Sequence, residues 1–263
     1  MINVIKVGGA VVEDTSSLSI LLDEFAKIGG PKVLVHGGGR TATNIAAKLG
    51  IESKMVGGRR ITDAEMLQVV TMVYAGLVNK NIVAQLQERG INALGLTGAD
   101  LNIIRAHRRP VTSEGVDFGF VGDVDSADGE CLQQLLQTGV TPVIAPLTHD
   151  GQGHLLNTNA DTMAQTVATS LSRVGGSVPA KDSTVSTVLT FCFELPGVMR
   201  DPSDPASLIP HLIEPEFRTL VSDGTISGGM IPKLENAFAA IHAGVASVRI
   251  TSINDLQGGT LIC

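Results

Sequence analysis

The 263-residue sequence predicts an α/β protein built around a mostly parallel sheet. Apolar runs of strand length alternate with stretches of helical period, the signature of βαβ units. The 30 glycines, well above the ~7% average, cluster just after short β-branched runs, at Gly8-Gly9, Gly37-Gly38-Gly39, Gly57-Gly58 and Gly228-Gly229. The length suits one large domain or two lobes.

Ile2–Val7 reads as the first strand and Ser16–Ile28 as a helix, and Lys32–His36 with Thr41–Leu49 repeats the pair. Thr62-Asp63-Ala64-Glu65 sets a capping threonine three residues ahead of a glutamate, and apolar periodicity then runs to about Arg89. This helix carries Met66, Leu67, Val70, Val73, Tyr74 and Leu77, more apolar surface than one sheet face covers, which predicts a subunit interface. Ile91–Leu96, Asn102–His107 and Val140–Ala145 are strand-like, Thr148–Leu156 is a hairpin turning at Asp150-Gly151, and Ala160–Leu171 is a helix. Val174–Thr184, rich in Gly, Ser, Pro and charge, is either a surface loop or the seam between lobes. Beyond it come a buried strand at Val185–Phe191, helices at Glu214–Ser222 and Met230–His242, and strands at Ser247–Thr251 and Thr260–Ile262.

Composition excludes several classes of function. With 43% hydrophobic and 17% charged residues, the chain is no disordered or acidic solvating segment. No uninterrupted apolar run approaches the ~18–20 residues of a membrane span, and MINVIKVGGA lacks a secretory layout, so a cytoplasmic protein without a membrane partner is expected. A net charge of −7 and so few aromatics argue against a nucleic-acid surface. Cys131, Cys192 and Cys263 form no C-x-x-C pair and read as thiols in a reducing compartment, with no protein metal site.

Five places in the chain carry the chemistry. Lys6 lies in an apolar strand directly before Gly8-Gly9, whose bare backbone N–H groups suit an anion; alone, the residue reads as a lysine snorkelling from a strand end. His36-Gly37-Gly38-Gly39-Arg40 is a strand, a glycine turn and a helix start, a geometry that binds anions. Gly37-x-Gly39-x-x-Ala42 also matches the dinucleotide fingerprint, but the basic stretch Ser53–Arg60 stands where a strand ending in an acid is required. Arg60, before the long helix, is either a carboxylate clamp or a solvated loop residue. Asn157-Thr158-Asn159-Ala160-Asp161 is either a helix cap or a site. Lys233 falls at the amino end of a helix starting near Met230, where a cation opposes the dipole by about 0.3–1 kcal/mol unless an anion is near.

In this order the clusters resemble the amino-acid kinase family, and within it the branch that phosphorylates N-acetyl-L-glutamate. The matching pieces include Lys6-Val7-Gly8-Gly9, Gly58-Arg59-Arg60-Ile61-Thr62-Asp63, Gly95-Leu96-Thr97-Gly98-Ala99-Asp100 and Ser227-Gly228-Gly229-Met230-Ile231-Pro232-Lys233, and they span nearly the whole chain. The resemblance implies a three-layer αβα sandwich in which residues 1–172 bind the acyl-amino acid and dimerise and residues 173–263 bind ATP. It implies that Lys6 and Lys233 stabilise the transferring phosphoryl group, that Asp161 orients them, and that Gly38, Gly39, Arg60 and Asn157 hold the acylglutamate. Nucleotide contacts would come from Gly8, Gly9, Asn159, Glu194, Gly197, Met199 and Ser227, with Mg²⁺ riding on the ATP phosphates. The implied reaction yields N-acetyl-L-glutamyl 5-phosphate in arginine biosynthesis.

Two departures stand out. Glu194 occupies the place where the family's nucleotide strand typically ends in an aspartate, and Val174–Thr184 is longer and more polar than the pattern. The chain also begins directly in its first strand, which resembles the dimeric, arginine-insensitive type. Open alternatives are a kinase for another acyl group such as N-succinylglutamate, a non-catalytic nucleotide-binding module, and a dinucleotide-dependent oxidoreductase.

Overall fold

Strand Ile2–Val7 is buried on both faces, and its two-residue alternation divides the molecule: Ile2 and Val4 enter one apolar core, Ile5 and Val7 another. The structure, a computed structural model, describes residues 1–174, 186–193, 195–228 and 230–263. Within them an eight-stranded sheet runs in the order His211–Leu212, Thr260–Ile262, Ser247–Ser252, Thr187–Phe193, Ile2–Val7, Lys32–His36, Thr141–Ile144, Ala93–Leu96. Every neighbouring pair is parallel except Ser247–Ser252 with Thr260–Ile262. Helices Gly129–Gln137, Ala160–Arg173, Glu214–Ser222 and Met230–His242 pack on the Ile2/Val4 side. Helices Thr15–Lys27 and Gly39–Lys48 and the long helix pack on the other, completing the αβα sandwich.

Most expected elements occur with ends shifted by a few residues, and the exceptions have physical causes. The long helix is capped by Asp63 rather than Thr62: Met66 N–H donates to Asp63 Oδ1 at 2.8 Å, while the buried Thr62 hydroxyl accepts from Asn157 Nδ2 at 2.9 Å. The helix runs from Ala64 to Glu88 but widens to a π-helix over Thr71–Val78. Its buried residues therefore step Val69, Val73, Val78, Ile82, Leu86, with one five-residue stride that keeps the apolar side on the sheet. By length and a mean hydropathy of 1.2 over 18 residues this helix is apolar enough to cross a membrane; here 44% of that window is buried within the protein. Strand Gly122–Ala127 was not anticipated because GDVDSA lacks an apolar signal; helix Gly129–Gln137 was missed although Leu132, Leu135 and Leu136 repeat at helical spacing.

The dinucleotide alternative fails on topology. After helix Gly39–Lys48 the chain makes only the short hairpin Met55–Val56/Arg59–Arg60, so no strand of the main sheet ends within the ~20 residues after the glycine turn that the fingerprint requires. The expected loop Val174–Thr184 lies, after its first residue, outside the described residues, as does the start of the strand placed at Val185.

At the carboxyl end of the sheet the two glycine turns touch. Gly37 N–H donates to Val7 O at 3.0 Å, a Cβ on Gly37 would sit 2.9 Å from Gly9 N, and one on Gly9 would sit 3.3 Å from Gly38 N and Gly39 N. Only bare backbone fits this contact. Gly37→Ala should therefore cost about 1–3 kcal/mol and lower the urea midpoint; an unchanged midpoint would refute the close approach.

Candidate active site at the carboxyl end of the sheet

Lys6 shares a strand face with Ile2 and Val4, the face covered by helix Ala160–Arg173. Asn159 caps that helix, its Oδ1 accepting from Asp161 N–H at 2.8 Å and Thr162 N–H at 3.0 Å, and so sets the first turn in place. Asp161 Oδ1 then meets Lys6 Nζ at 2.8 Å and makes no hydrogen bond to any other described residue. Lys6 is 8% exposed. In the neighbouring strand Phe193 lies two residues beyond Phe191, the register partner of Lys6, and its ring centroid is 5.9 Å from Lys6 Nζ and 3.9 Å from Lys233 Nζ. Both distances are within the range of a cation over an aromatic ring. One side chain thus gathers the ammonium groups from the two ends of the chain. Among the described residues Asp161 pairs with Lys6 alone, not with Lys233.

Two clefts open here. The larger, of about 640 Å³, is lined by Gly8, Gly9, Phe193, Gly197 and Lys233; the smaller, of about 200 Å³, by Gly38, Arg59, Tyr74, Asn157 and Asn159. They join at Gly39, Met55 and Arg60. Arg60 is buried, and its Nη2 donates to Gly39 O at 2.8 Å and Thr43 Oγ1 at 2.9 Å, while Nη1 donates to Ser53 Oγ. This tethers the guanidinium and leaves further donors of its fork for a ligand. Burial pushes the Tyr74 phenol above its ordinary pKa, and the nearby Arg60 charge pulls it back. Cys192 also lines the larger cleft, but burial pushes its thiol up to about 12, so it is inert at neutral pH.

The structure brings together Lys6, Gly8, Gly9, Gly38, Gly39, Arg60, Asn157, Asn159, Asp161, Gly197 and Lys233 from the sequence-derived set. Asn159, expected against the nucleotide, lines the smaller cleft with Asn157 and spends its Oδ1 on the helix cap. Met199 is buried and Ser227 exposed, and neither lines the two clefts. Glu194 lies outside the described residues. Sequence reasoning passed over Phe193, Arg59 and Tyr74. Tyr74, the only tyrosine in the chain, was read as helix surface, yet a Cβ on Gly38 would touch its ring at 3.0 Å.

The sequence profile of the amino acid kinase family matches residues 1–173. The chain belongs to the amino acid kinase family. It is similar to the acetylglutamate kinases of Bacteroides thetaiotaomicron (59% identity, spanning 98% of this chain and 96% of the relative) and Bacteroides fragilis (58%, 99% and 96%). Among solved structures it resembles smu.665 from Streptococcus mutans, with a TM-score of 0.75 and 25% identity over 99% of this chain and 98% of that one.

In this member of the amino acid kinase family the glycine turn rests on a buried imidazole. His36 Nδ1 lies 2.7 Å from Gly37 O, and burial pushes its pKa down from 6.5 to about 4. The folded state thus keeps His36 neutral where the unfolded chain is already protonated. That contributes stability fully present above pH 6.5 and lost progressively as pH falls towards 4, up to about 3 kcal/mol. Unfolding free energies measured across this window should fall less steeply for His36→Asn than for the unaltered protein; superimposable pH profiles would remove His36 from the acid response.

Proposed function

We propose that the protein transfers the γ-phosphoryl group of ATP to the side-chain carboxylate of N-acetyl-L-glutamate, giving N-acetyl-L-glutamyl 5-phosphate in arginine biosynthesis. The observation that carries this is the pair of ammonium groups on Phe193 beside two bare glycine turns. The high identity to acetylglutamate kinases supports the choice of acceptor. Residues 1–172 supply the acylglutamate cleft and residues 173–263 most of the ATP lobe. Gly8, Gly9 and the two lysines stand at the seam.

The chemistry asks little of a base. The acceptor carboxylate, with an ordinary pKa near ~4.3, is ionised at neutral pH. One of its oxygens attacks the γ-phosphorus, the bond to the β–γ bridging oxygen breaks, and ADP departs with no proton transferred. The barrier is the approach of two anions followed by charge gathering on the leaving oxygen. Lys6, held in place by Asp161, faces the γ-phosphoryl group on the nucleophile side, and Lys233 the leaving side; Gly8, Gly9, Gly38 and Gly39 offer backbone donors. Arg60 and Asn157 hold the acylglutamate in the smaller cleft. Mg²⁺ would arrive as MgATP, bound through phosphate oxygens and water.

Arg59 favours a second reading of the acyl group. It lines the smaller cleft beside Arg60 and has no carboxylate within ion-pair distance among the described residues. An extra cation suits an acyl chain with its own carboxylate, as in N-succinylglutamate. The assembly proposed is a cytoplasmic homodimer. Met72, Leu77, Leu94 and Leu101 are exposed along the π-helical segment and beside the edge strand Ala93–Leu96, where a second copy would cover them.

An ADP-release assay with MgATP and a panel of N-acylated glutamates, aspartates and aminoadipates decides among these readings: turnover is expected with N-acetylglutamate, and indifference to the whole panel would overturn the function. Lys6→Ala and Lys233→Ala should each lower kcat by about 10²–10³ with little change in acylglutamate affinity; near-normal turnover would refute their roles. Arg60→Ala should raise KM for the acylglutamate about tenfold to a hundredfold, matching the ~1.5–3 kcal/mol of hydrogen bonds to a charged group; an unchanged KM would remove Arg60 from the site.

A further inference from the structure

Behind the glycine turn lies a buried polar chain that phosphoryl transfer does not obviously require. Asn79, 1% exposed, donates from Nδ2 to Val143 O at 2.9 Å, and the same nitrogen lies 3.1 Å from His36 Nε2. Its Oδ1 accepts from Lys80 Nζ at 3.1 Å, and that ammonium also donates to Gly95 O at 3.1 Å. The carbonyl of Val143 accepts only, so the group facing both it and His36 is the amide NH₂. His36 Nε2 must then accept. In the neutral, fully buried ring the proton sits on Nδ1 and is donated to Gly37 O at 2.7 Å.

That bond orients more than a carbonyl. Gly37 C=O and Gly38 N–H belong to one planar trans peptide and point in opposite directions. With the carbonyl tied back to His36, the Gly38 N–H is turned away from the core, on a residue that lines the smaller cleft. This N–H has no hydrogen-bond partner among the described residues. The π-helical stride serves the same end. Tyr74 and Asn79 are five residues apart, so the widened turn puts both on the side facing the glycines, Tyr74 against Gly38 and Asn79 against His36.

We propose that His36, locked in its Nδ1–H tautomer by Asn79, is a positioning residue for the reaction: it holds the Gly37–Gly38 peptide so that Gly38 N–H faces the transferring phosphoryl group. This rests on the phosphotransferase reading above. Losing the anchor leaves the donor present but loosely aimed, so the loss should be smaller than for deleting an oxyanion donor, ~10²–10³.

The test pairs kinetics with ¹⁵N spectroscopy of the full chain. His36→Leu should lower kcat, counted per folded site, roughly tenfold to a hundredfold, with both KM values within about twofold, and His36→Asn, which keeps an N–H donor near the Nδ1 position, should recover most of it. In the unaltered protein His36 should show a protonated Nδ1 and a bare Nε2. If His36→Leu does not fold, Asn79→Ala should lower kcat and release the ring from the single tautomer. A protonated Nε2 in the unaltered protein, an unchanged kcat per folded site, or a loss confined to KM would overturn the proposal. An unaltered protein inactive on every acylglutamate would sink the kinase reading while leaving the tautomer measurement to stand or fall separately.

Discussion

Bringing an anionic acceptor to an anionic phosphate is the constraint that organises the site. At ~4 Å and an effective dielectric of ~20, one pair of unit charges interacts by about 4 kcal/mol, so each ammonium set at the meeting point offsets repulsion of that order. The parallel sheet makes this convergence possible, because all of its central strands deliver their carboxyl ends to one edge. Lys6 arrives on the first strand and Lys233 on a helix nearly at the other end of the chain, and they meet over Phe193, carried by the strand adjacent to Lys6.

The glycine turns answer the same constraint from the opposite direction. A side chain on Gly9 or Gly37 would prise the two turns apart, and the phosphate cradle proposed for them would lose its backbone donors. Close approach here is bought with conformational freedom, and the turns stay ordered because elements behind them are rigid: Tyr74 against Gly38, Arg60 bonded to Gly39 O, and His36 bonded to Gly37 O. The hydrogen bond that fixes the Arg60 fork also fixes the helix start bearing Gly39, so the ligand-binding task proposed for Arg60 would come with a structural one.

Much of this was legible in the residues. A lysine inside an apolar strand and glycines directly after strands mark a ligand edge, and the three-layer sandwich follows from the alternation of runs. What escaped has identifiable physics. Asp63 displaced Thr62 as helix cap because Thr62 is drawn into the core by Asn157, a partner 95 residues away that no local pattern shows. The π-helical turn is invisible to a 3.6-residue template, which reads Tyr74 and Leu77 alike as helix surface, although one is buried and the other exposed. Phe193 was passed over because nothing in the strand announces that two cations will stack on its ring. Asn159 caps its helix through Oδ1, one of the two roles that its sequence context allowed, and also lines the smaller cleft.

The unequal treatment of the two lysines is itself informative. Lys6 is nearly sealed from solvent, where an unpaired charge is costly to bury, and Asp161 pairs with it at 2.8 Å. Lys233 is exposed, needs no such support, and has no carboxylate within ion-pair distance among the described residues. Both Lys233 and Arg60 lie on the walls of the larger cleft, and among the described residues neither has a carboxylate within ion-pair distance. A second carboxylate balancing Lys233 would make a tidier ion-pair network and a poorer site for two anions. On this view Asp161 is matched to the buried lysine alone, which compensates that buried charge and leaves Lys233 free for the incoming anions.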